Sequence, residues 1–501
     1  MASGASSKPI YEMVSHIIDI NKEPPEDLNI SKCNIYRVPR SLRNLNEEAY
    51  NPQLISIGPL HFGHEHLNPM QHQKLRYFGY FWIRINNNEE AMKGYKQYLE
   101  TEVEAIRHCY ADNNKRLLTT ITKEQLVEMM LLDSVFIMEL FLRNQEKKPE
   151  EHHKDDIILK QTWLSKSVRR DLLLLENQIP LFILNRLYVT VVPDSDKKQK
   201  KFIELAYEYF KCFHPYKKSK SYYDEIEKSS SGDHHKLSKS RLCSQYSVQS
   251  QKDCSYRFAL SVKNWKNEPL HFTDMIRYFY LYKDLILREK GSSCNALRTA
   301  TKLREAGVSF EKVFDKNLLD IKFVRDPILS WFLCLGCISK FKCFKARLQI
   351  PQLKIEDTTE CVLRNLIAFE QCHYSDQPYI CNYVSFIDSL IHTKEDVELL
   401  VEKEVIVHEL GSDKEVATLV NSLCKHVVTD KTCYKGIIDC LNEHYQKVWN
   451  HTMASLRLVY FRDPWRASST VVGIAVLIFA VFNFYRVVKS LYFHHTSPHW
   501  F

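Results

Sequence analysis

Glycine is scarce in this sequence, with only 12 glycines among 501 residues, where a share of about 7% is usual. Folds that bind nucleotides through backbone amides need clustered glycines, and neither a GxGxxG nor a GxxxxGK[ST] string occurs. GxSxG and HExxH strings are also absent. The sequence therefore lacks the motifs of the common nucleotide-binding, serine-nucleophile and zinc-protease enzymes, and no cofactor or small-molecule substrate is evident.

Concentrated charge is missing as well. The net charge of +8 is spread along the chain without an arginine-rich stripe, which argues against a nucleic-acid partner. The 15 cysteines are odd in number and irregularly spaced, a pattern typical of reduced thiols in the cytosol rather than of a disulfide scaffold. No uninterrupted apolar stretch opens the chain, so we expect no secretory signal peptide.

One long apolar run is present near the C-terminus. Residues 467–485, "ASSTVVGIAVLIFAVFNFY", carry no charge, and about 19 helical residues cross a hydrocarbon core of ~30 Å. Trp465 and Tyr485 stand where interfacial aromatic residues belong, and Arg466 and Arg486 close the two ends. The run predicts one transmembrane helix, and a fully buried core helix is the alternative.

The flanking charges suggest an orientation for this helix. More basic residues precede the span than follow it, which favours a cytoplasmic bulk and a short exoplasmic tail in the plasma membrane or an endomembrane. The sequons at Asn29 and Asn450 would then be unused. Both are glycosylation candidates only if the bulk is lumenal.

Hydrophobic periodicity predicts a mainly α (α+β) fold. Three- and four-residue steps recur through most of the chain, and "GVSFEKV", "LLDIKFV" and "ARLQIPQLKI" alternate with period two. "VRRDLLLLENQIPLFILNRLY" is predicted to form two buried helices separated at Pro180. The predicted organisation is an N-terminal tail (1–30), a large helical domain with a small β element (31–460) that includes a polar loop (214–256) and an apolar Cys/Lys insert (327–345), the transmembrane helix (467–485) and a short tail (486–501).

Four histidines crowd the stretch "NPQLISIGPLHFGHEHLNPMQHQK": His61, His64, His66 and His72. A zinc site needs three or four converging ligands, and this spacing matches no common zinc motif. Pro59, Gly63 and Pro69 instead indicate a turn leading into a helix that starts at Pro69, with Asn68 as N-cap. We therefore interpret the histidines as structural and predict no metal site.

The insert contains Cys334, Cys337 and Cys343, followed by lysines. An apolar loop packed on the core is the first interpretation. S-palmitoylation or an interfacial loop on an anionic leaflet is the second, with these three cysteines as lipidation candidates. A zinc site would need a second ligand pair, which the spacing does not supply.

Acidic residues within apolar helices are the remaining candidates for chemistry. They are Asp133, Glu139, Asp171, Glu176 and Glu370. Paired carboxylates can perform acid–base catalysis when burial separates their pKa values. Such residues more often cap helices or accept hydrogen bonds from buried amides, and we predict that structural role.

Several strings in fixed order resemble the plant DUF247 (UPF0481) family. They include "LISIGPLHFG", "LNPMQHQKLRYF", "DSVFIMELF", "DLLLLENQIPLFIL" and "LRNLIAFEQC", and the resemblance runs from about Ser31 to the C-terminal span. The family's usual "YHHG" and "MExHK" appear here with Phe62 and Gln73 in place of a histidine. The resemblance implies no established enzymatic activity, and for some grass members a role in pollen self-incompatibility.

The leading hypothesis is a single-pass plant membrane protein that acts in protein recognition or signalling. Its expected partners are the lipid bilayer and an unidentified protein. An enzyme using buried carboxylates such as Asp133 or Glu176 is the alternative, and a structural membrane tether is a third hypothesis.

Overall fold

The computed structural model describes residues 32–111, 121–146, 156–197, 200–215, 268–281, 291–292, 296–313, 316–325, 346–448, 450–451 and 464–495. Helices dominate these residues and the strands are short, so the predicted mainly α fold with a small β element is confirmed. The insert cysteines Cys334, Cys337 and Cys343, the sequon at Asn29 and nearly all of the polar loop lie outside the described residues.

The helices follow one another with short connections in most of the described chain. They are α1 (Arg40–Arg43), α2 (Pro69–Arg84), α3 (Glu89–Thr101), α4 (Val103–Cys109), α5 (Lys123–Asn144), α6 (Ile157–Lys160), α7 (Thr162–Asp171), α8 (Leu181–Thr190), α9 (Asp194–Lys197), α10 (Phe202–Phe210), α11 (Phe272–Tyr280), α12 (Ala300–Glu305), α13 (Asp357–His373), α14 (Tyr379–Leu390), α15 (Lys394–Glu402), α16 (Asp413–Leu423), α17 (Lys435–Gln446) and α18 (Pro464–His495). Three 3-10 turns, Glu47–Ala49, Glu65–Leu67 and Lys211–Phe213, lie between them.

The strands form small sheets of two or three members. They are β1 (Ile35–Tyr36), β2 (Tyr110–Ala111), β3 (Gly291–Ser292), β4 (Ser309–Val313), β5 (Lys322–Val324), β6 (Arg347–Pro351), β7 (Leu353–Ile355), β8 (Ile406–His408) and β9 (Lys431–Thr432). β6 is central, parallel to β4 and antiparallel to β5. β1–β2 and β7–β8 pair in parallel, and β3–β9 is antiparallel. The three sequence stretches with period two are therefore strands, as predicted.

The chain divides into two compact units. Unit 1 comprises Met1–Leu281, Asp357–Ile380 and Lys425–Val428, and unit 2 comprises Tyr282–Glu356, Cys381–Cys424 and Thr429–Phe501. The three-stranded sheet belongs to unit 2, where α15 packs against α12 and α16. Helix α14 begins in unit 1 and continues into unit 2.

Helix α5 is the centre of unit 1, because α2, α3, α8 and α10 all pack against it. Thr122 and Gln125, which stand three residues apart just before the apolar run, form a capping box at its start: Thr122 Oγ1 accepts from the Gln125 amide at 3.2 Å, and Gln125 Oε1 accepts from the Thr122 amide at 3.0 Å. From Leu126 to Leu142 most side chains are buried. A helix that is apolar around most of its circumference is stable only when neighbours cover it, and α4 also packs against α5 beside these four helices.

The predicted extent of the first helix in "VRRDLLLLENQIPLFILNRLY" is wrong. Helix α7 ends at Asp171, residues 172–179 are not helical, and α8 begins at Leu181 after Pro180. The polar side chains of the segment bind its own carbonyls: Gln178 Nε2 donates to Leu172 O at 2.7 Å and to Leu174 O at 2.8 Å. Such local side-chain bonds compete with the helical ladder, which explains why an apolar run leaves the helix here.

The continuous helical periodicity of "EEAMKGYKQYLETEVEAIRHCY" corresponds to two helices, α3 and α4, which are separated at Glu102. Helix α17 begins at Lys435 and ends at Gln446.

Candidate functional site

Residues 53–58, "QLISIG", form a segment of unit 1 that is buried from Ile55 to Gly58 and whose backbone is bound by side chains instead of a neighbouring strand. Asp171 Oδ2 accepts from the amides of Leu54 at 2.7 Å and Ile55 at 3.0 Å, and both its oxygens lie 3.1 Å from the Gln53 amide. Burial raises the pKa of Asp171, and these backbone amides oppose that shift. The carboxylate therefore serves as a multiple acceptor for three consecutive amides.

The second half of the segment is bound in the same way. Asn177 Oδ1 accepts from the Ile57 amide at 2.7 Å, and its Nδ2 donates to Ile55 O at 2.9 Å. Asp133 Oδ2 accepts from the Gly58 amide at 2.8 Å, while its other oxygen pairs with Lys74 Nζ. Lys74 Nζ also donates to Ser56 O. This set of contacts satisfies buried backbone groups that would otherwise lower stability.

Gly58 is the residue on which this packing depends sterically. Its φ is +72°, and a Cβ at this position would stand 2.5 Å from Gln178 O and 3.0 Å from the Tyr110 hydroxyl. The Tyr110 hydroxyl itself donates to Gln178 O at 3.0 Å. Only glycine permits both the left-handed backbone and this close approach to the 172–179 segment.

Glu176 links the same irregular segment to the N-terminal part of unit 1. It accepts from the Val38 amide and the Arg43 guanidinium, and His61 Nε2 lies 3.4 Å from its Oε2. Burial raises the pKa of Glu176, but His61, Arg43 and the Val38 amide hold it below its usual value. The carboxylate is therefore ionised at neutral pH and acts as a buried counter-charge.

The histidine-rich stretch is a folded turn. The ring centroids of His61 and His64 are 5.5 Å apart, and those of His64 and His66 are 5.8 Å apart. His72 is exposed on α2, which begins at Pro69 as predicted, although Asn68 makes no side-chain cap bond. Among the residues that the structure describes, no group of three or more histidine, cysteine, aspartate or glutamate side chains is placed to hold a metal ion.

Glu139, the second acidic residue of α5, belongs to a network of ion pairs. It accepts from Arg84 Nε at 2.6 Å and from Arg143 Nε at 2.7 Å. Arg143 also reaches Asp156, whose carboxylate accepts from the Tyr77 hydroxyl at 2.8 Å. Opposite charges thus compensate one another within the unit, which is how buried charge is tolerated in proteins.

Glu370 is paired in the same manner between α11 and α13. Arg277 Nε donates to Glu370 Oε1 at 2.8 Å, and the other carboxylate oxygen accepts from the Ile380 amide at 2.8 Å. On α11, burial raises the pKa of Asp274 to about 6, although the Leu270 amide and Arg277 oppose the shift. All five acidic residues named from the sequence accept hydrogen bonds from backbone amides or cationic side chains, the arrangement expected of a structural role.

The sequon residue Asn450 is half-buried and already bonded. Its Nδ2 donates to His444 O at 2.7 Å and lies 3.2 Å from His444 Nδ1, and His444 Nε2 lies 3.0 Å from Ala306 O. A glycan is attached through Nδ2, so a sugar at Asn450 would disturb these contacts of unit 2.

Helix α18 spans 32 residues, Pro464–His495, and extends beyond the predicted 467–485 at both ends. Its stretch Ser468–Ser490 has a mean hydropathy of 2.2, and none of it is buried against the rest of the protein. A core helix of this composition would be covered by neighbours. Among the described residues it is the one helix long and apolar enough to cross a membrane.

The sequence profile of DUF247, a family described as plant proteins of unknown function, matches residues 35–479. The chain belongs to the DUF247 family. A UPF0481 protein of Arabidopsis thaliana is 28% identical over 470 residues, covering 91% of this chain and 87% of its own length. A putative UPF0481 protein of the same plant is 23% identical over 511 residues, covering 93% and 92%. No solved structure matches the chain.

The strings that carry the DUF247 resemblance meet in space. The string "LISIGP" contains most of the 53–58 segment, and the other strings supply the side chains that bind it. Lys74 comes from "QHQK", Asp133 from "DSVF", and Asp171 and Asn177 both come from "DLLLLENQ". Sequence reasoning named the carboxylates and missed Lys74, Asn177 and Gln178. The sequence signal for Asn177 and Gln178 was the polar triplet "ENQ" between two apolar runs.

Proposed function

We propose that this DUF247 protein is a single-pass membrane protein whose helical units act in protein recognition or signalling, with most of the chain on the cytoplasmic side. The unburied apolar stretch Ser468–Ser490 carries the proposal. Exposing so much apolar surface to water is unfavourable, whereas a bilayer covers it. The excess of basic residues before the span supports the cytoplasmic orientation.

An exposed apolar face on α2 supports the recognition role. The side chains of Leu75 and Ile83 are 60% and 71% exposed, and Gly79 lies midway between them on the same face. Exposed apolar residues aligned along one helix face form a surface of the kind that binds protein partners. The narrower role in self-incompatibility rests on the family resemblance alone.

Deleting residues 468–490 tests the anchor. We expect the full-length protein to stay in the membrane pellet after a carbonate wash and the deletion variant to move to the supernatant, because α18 is the one described helix that could hold it. Replacing the stretch by an unrelated apolar sequence of equal length is the control and should restore the pellet fraction. A full-length protein washed off membranes by carbonate would contradict the proposal.

Proximity labelling of the intact protein tests recognition. We expect Leu75→Glu with Ile83→Glu to remove a defined set of labelled proteins, since charges on the α2 face oppose apolar docking. Gln97→Glu, on the exposed side of α3, is the matched control and should leave the set unchanged. Identical sets from all three proteins, and from the variant lacking residues 468–490, would argue against a membrane-restricted recognition role.

A further inference from the structure

The apolar stretch Ser468–Ser490 of α18 contains one side-chain amide, that of Asn483. This residue lies about 6 Å along the helix axis from the middle of the stretch, so in a membrane it stands inside the hydrocarbon core of ~30 Å. The hydroxyls of Ser468 and Ser469 donate to Trp465 O at 2.9 and 2.7 Å and are satisfied within the helix. The Asn483 amide makes no hydrogen bond with any residue that the structure describes. A polar group without a partner is unfavourable in hydrocarbon, so this amide calls for one.

The chemistry of the Asn483 amide indicates what kind of partner satisfies it. The apolar stretch is not buried against the rest of the described chain, and lipid tails offer neither donors nor acceptors. A carboxamide carries both a donor and an acceptor, so two identical amides can bond each other reciprocally. A second copy of this chain, inserted in the same direction, places its own Asn483 at the same depth. The amide is therefore complementary to its counterpart in a second copy.

The residues that share a helix face with Asn483 have the spacing of a helix-pairing seam. Alternating steps of four and three residues connect them, and they lie within about 80° of one another around the axis. We call this set the Asn483 face: Ser469, Gly473, Val476, Ala480 and Asn483. Three of the five are small, and a Cβ at Gly473 would meet nothing within 4 Å. Small side chains let the backbones of two membrane helices approach closely, which brings their polar groups within bonding distance.

We propose that α18 pairs in parallel with α18 of a second copy through the Asn483 face, with the two Asn483 amides bonded to each other. The proposal rests on the membrane anchor proposed above, because only hydrocarbon deprives the amide of water as a partner. A single asparagine in a helix seam also fixes the register of the two helices. Such a dimer brings two copies of the chain together on the same side of the membrane.

Resonance energy transfer between full-length copies tests the pairing. Two pools of the protein, carrying a donor or an acceptor dye on an N-terminal self-labelling tag, are reconstituted together in phosphatidylcholine vesicles and diluted with added lipid. We expect transfer above the level of random proximity. It should fall on dilution along a binding curve that gives a dissociation constant as a protein-to-lipid ratio.

Variants of the helix identify the face. Asn483→Leu should weaken association about threefold to tenfold, the effect of losing a hydrogen bond between membrane helices, and Asn483→Gln should keep most of the affinity because it keeps an amide. Ala480→Ile should weaken association about tenfold, because a branched side chain separates the backbones. Ala475→Ile makes the same substitution about 120° or more from the centre of the Asn483 face. It is the matched control and should associate as the unaltered protein does.

A carbonate wash of the same vesicles separates failure of the pairing from failure of the anchor. Protein that is washed off refutes the anchor, and the pairing with it, whereas protein that is retained but shows only random transfer refutes the pairing alone. Transfer that persists after residues 468–490 are replaced by an unrelated apolar sequence would assign the association to another surface and overturn the proposal. Equal losses in Ala475→Ile and Ala480→Ile, or unaltered affinity in Asn483→Leu, would overturn it as well.

Discussion

Asp171→Ala is expected to lower the free energy of unfolding of unit 1 by about 3–5 kcal/mol, because it removes the shared acceptor of three backbone amides and one guanidinium at once. The amides of Gln53, Leu54 and Ile55 all bond this carboxylate, and Arg170 pairs with it at 2.9 Å. Alanine supplies no acceptor for any of them. A loss of this size is a large fraction of the roughly 5–15 kcal/mol that stabilises a typical domain.

Hydrogen–deuterium exchange of the full-length protein in detergent measures this effect locally. Peptides covering residues 50–60 should lose protection in Asp171→Ala. In Asp171→Asn the protection of these peptides should lie between that of the unaltered protein and that of Asp171→Ala, because one carbonyl oxygen can still accept where three amides converge. The control is Asp194→Ala, at a carboxylate that is 96% exposed beside Lys197. It should change the free energy of unfolding by no more than about 0.5 kcal/mol. Equal protection in Asp171→Ala and Asp194→Ala would refute the assigned role of Asp171.

Arg277→Met is expected to lower the free energy of unfolding of unit 1 by about 3–5 kcal/mol, because it removes one partner of a buried ion pair. The guanidinium bonds Glu370, donates to Gln377 O at 2.7 Å, and lies 3.9 Å from the Tyr374 ring centroid. Methionine keeps much of the side-chain volume, so the effect isolates the loss of charge and hydrogen bonds. In this variant Glu370 still accepts from the Ile380 amide, but no guanidinium compensates its charge.

A double-mutant cycle checks this prediction. Arg277→Met combined with Glu370→Gln should be more stable than Arg277→Met alone, because the second change removes the uncompensated charge and keeps an acceptor for the Ile380 amide. The matched control is Arg186→Met, in which an exposed arginine lies 5.0 Å from the Tyr98 ring centroid. Arg186→Met should lower the free energy of unfolding by no more than about 1 kcal/mol. Additive effects within the cycle would show that Arg277 and Glu370 do not interact.

Local signals predicted much of the fold. The capping box at Thr122 and Gln125 marked the start of α5, and Pro69 marked the start of α2. Period-two alternation found β4, β5 and β6. These signals are readable because a helix start or an alternating strand depends on residues within a few positions of one another. The apolar C-terminal helix was predicted from composition alone for the same reason.

The candidate site was only partly predictable. Burial of the acidic residues in apolar runs indicated that they would bond amides, and the structure identifies those amides. The partners of Asp171 and Asn177 lie more than 100 residues away in the chain, so no periodicity could pair them.

The sequence by itself determined the helical character, the small β element, the apolar C-terminal helix and membership of DUF247. Tertiary structure alone decided that residues 172–179 leave the helix and that residues 53–58 bond to side chains. The physical reason is the range of the interactions. Helix caps and hydrophobic periodicity act between near neighbours, whereas satisfying a buried amide depends on whichever distant side chain the packing brings within about 3 Å.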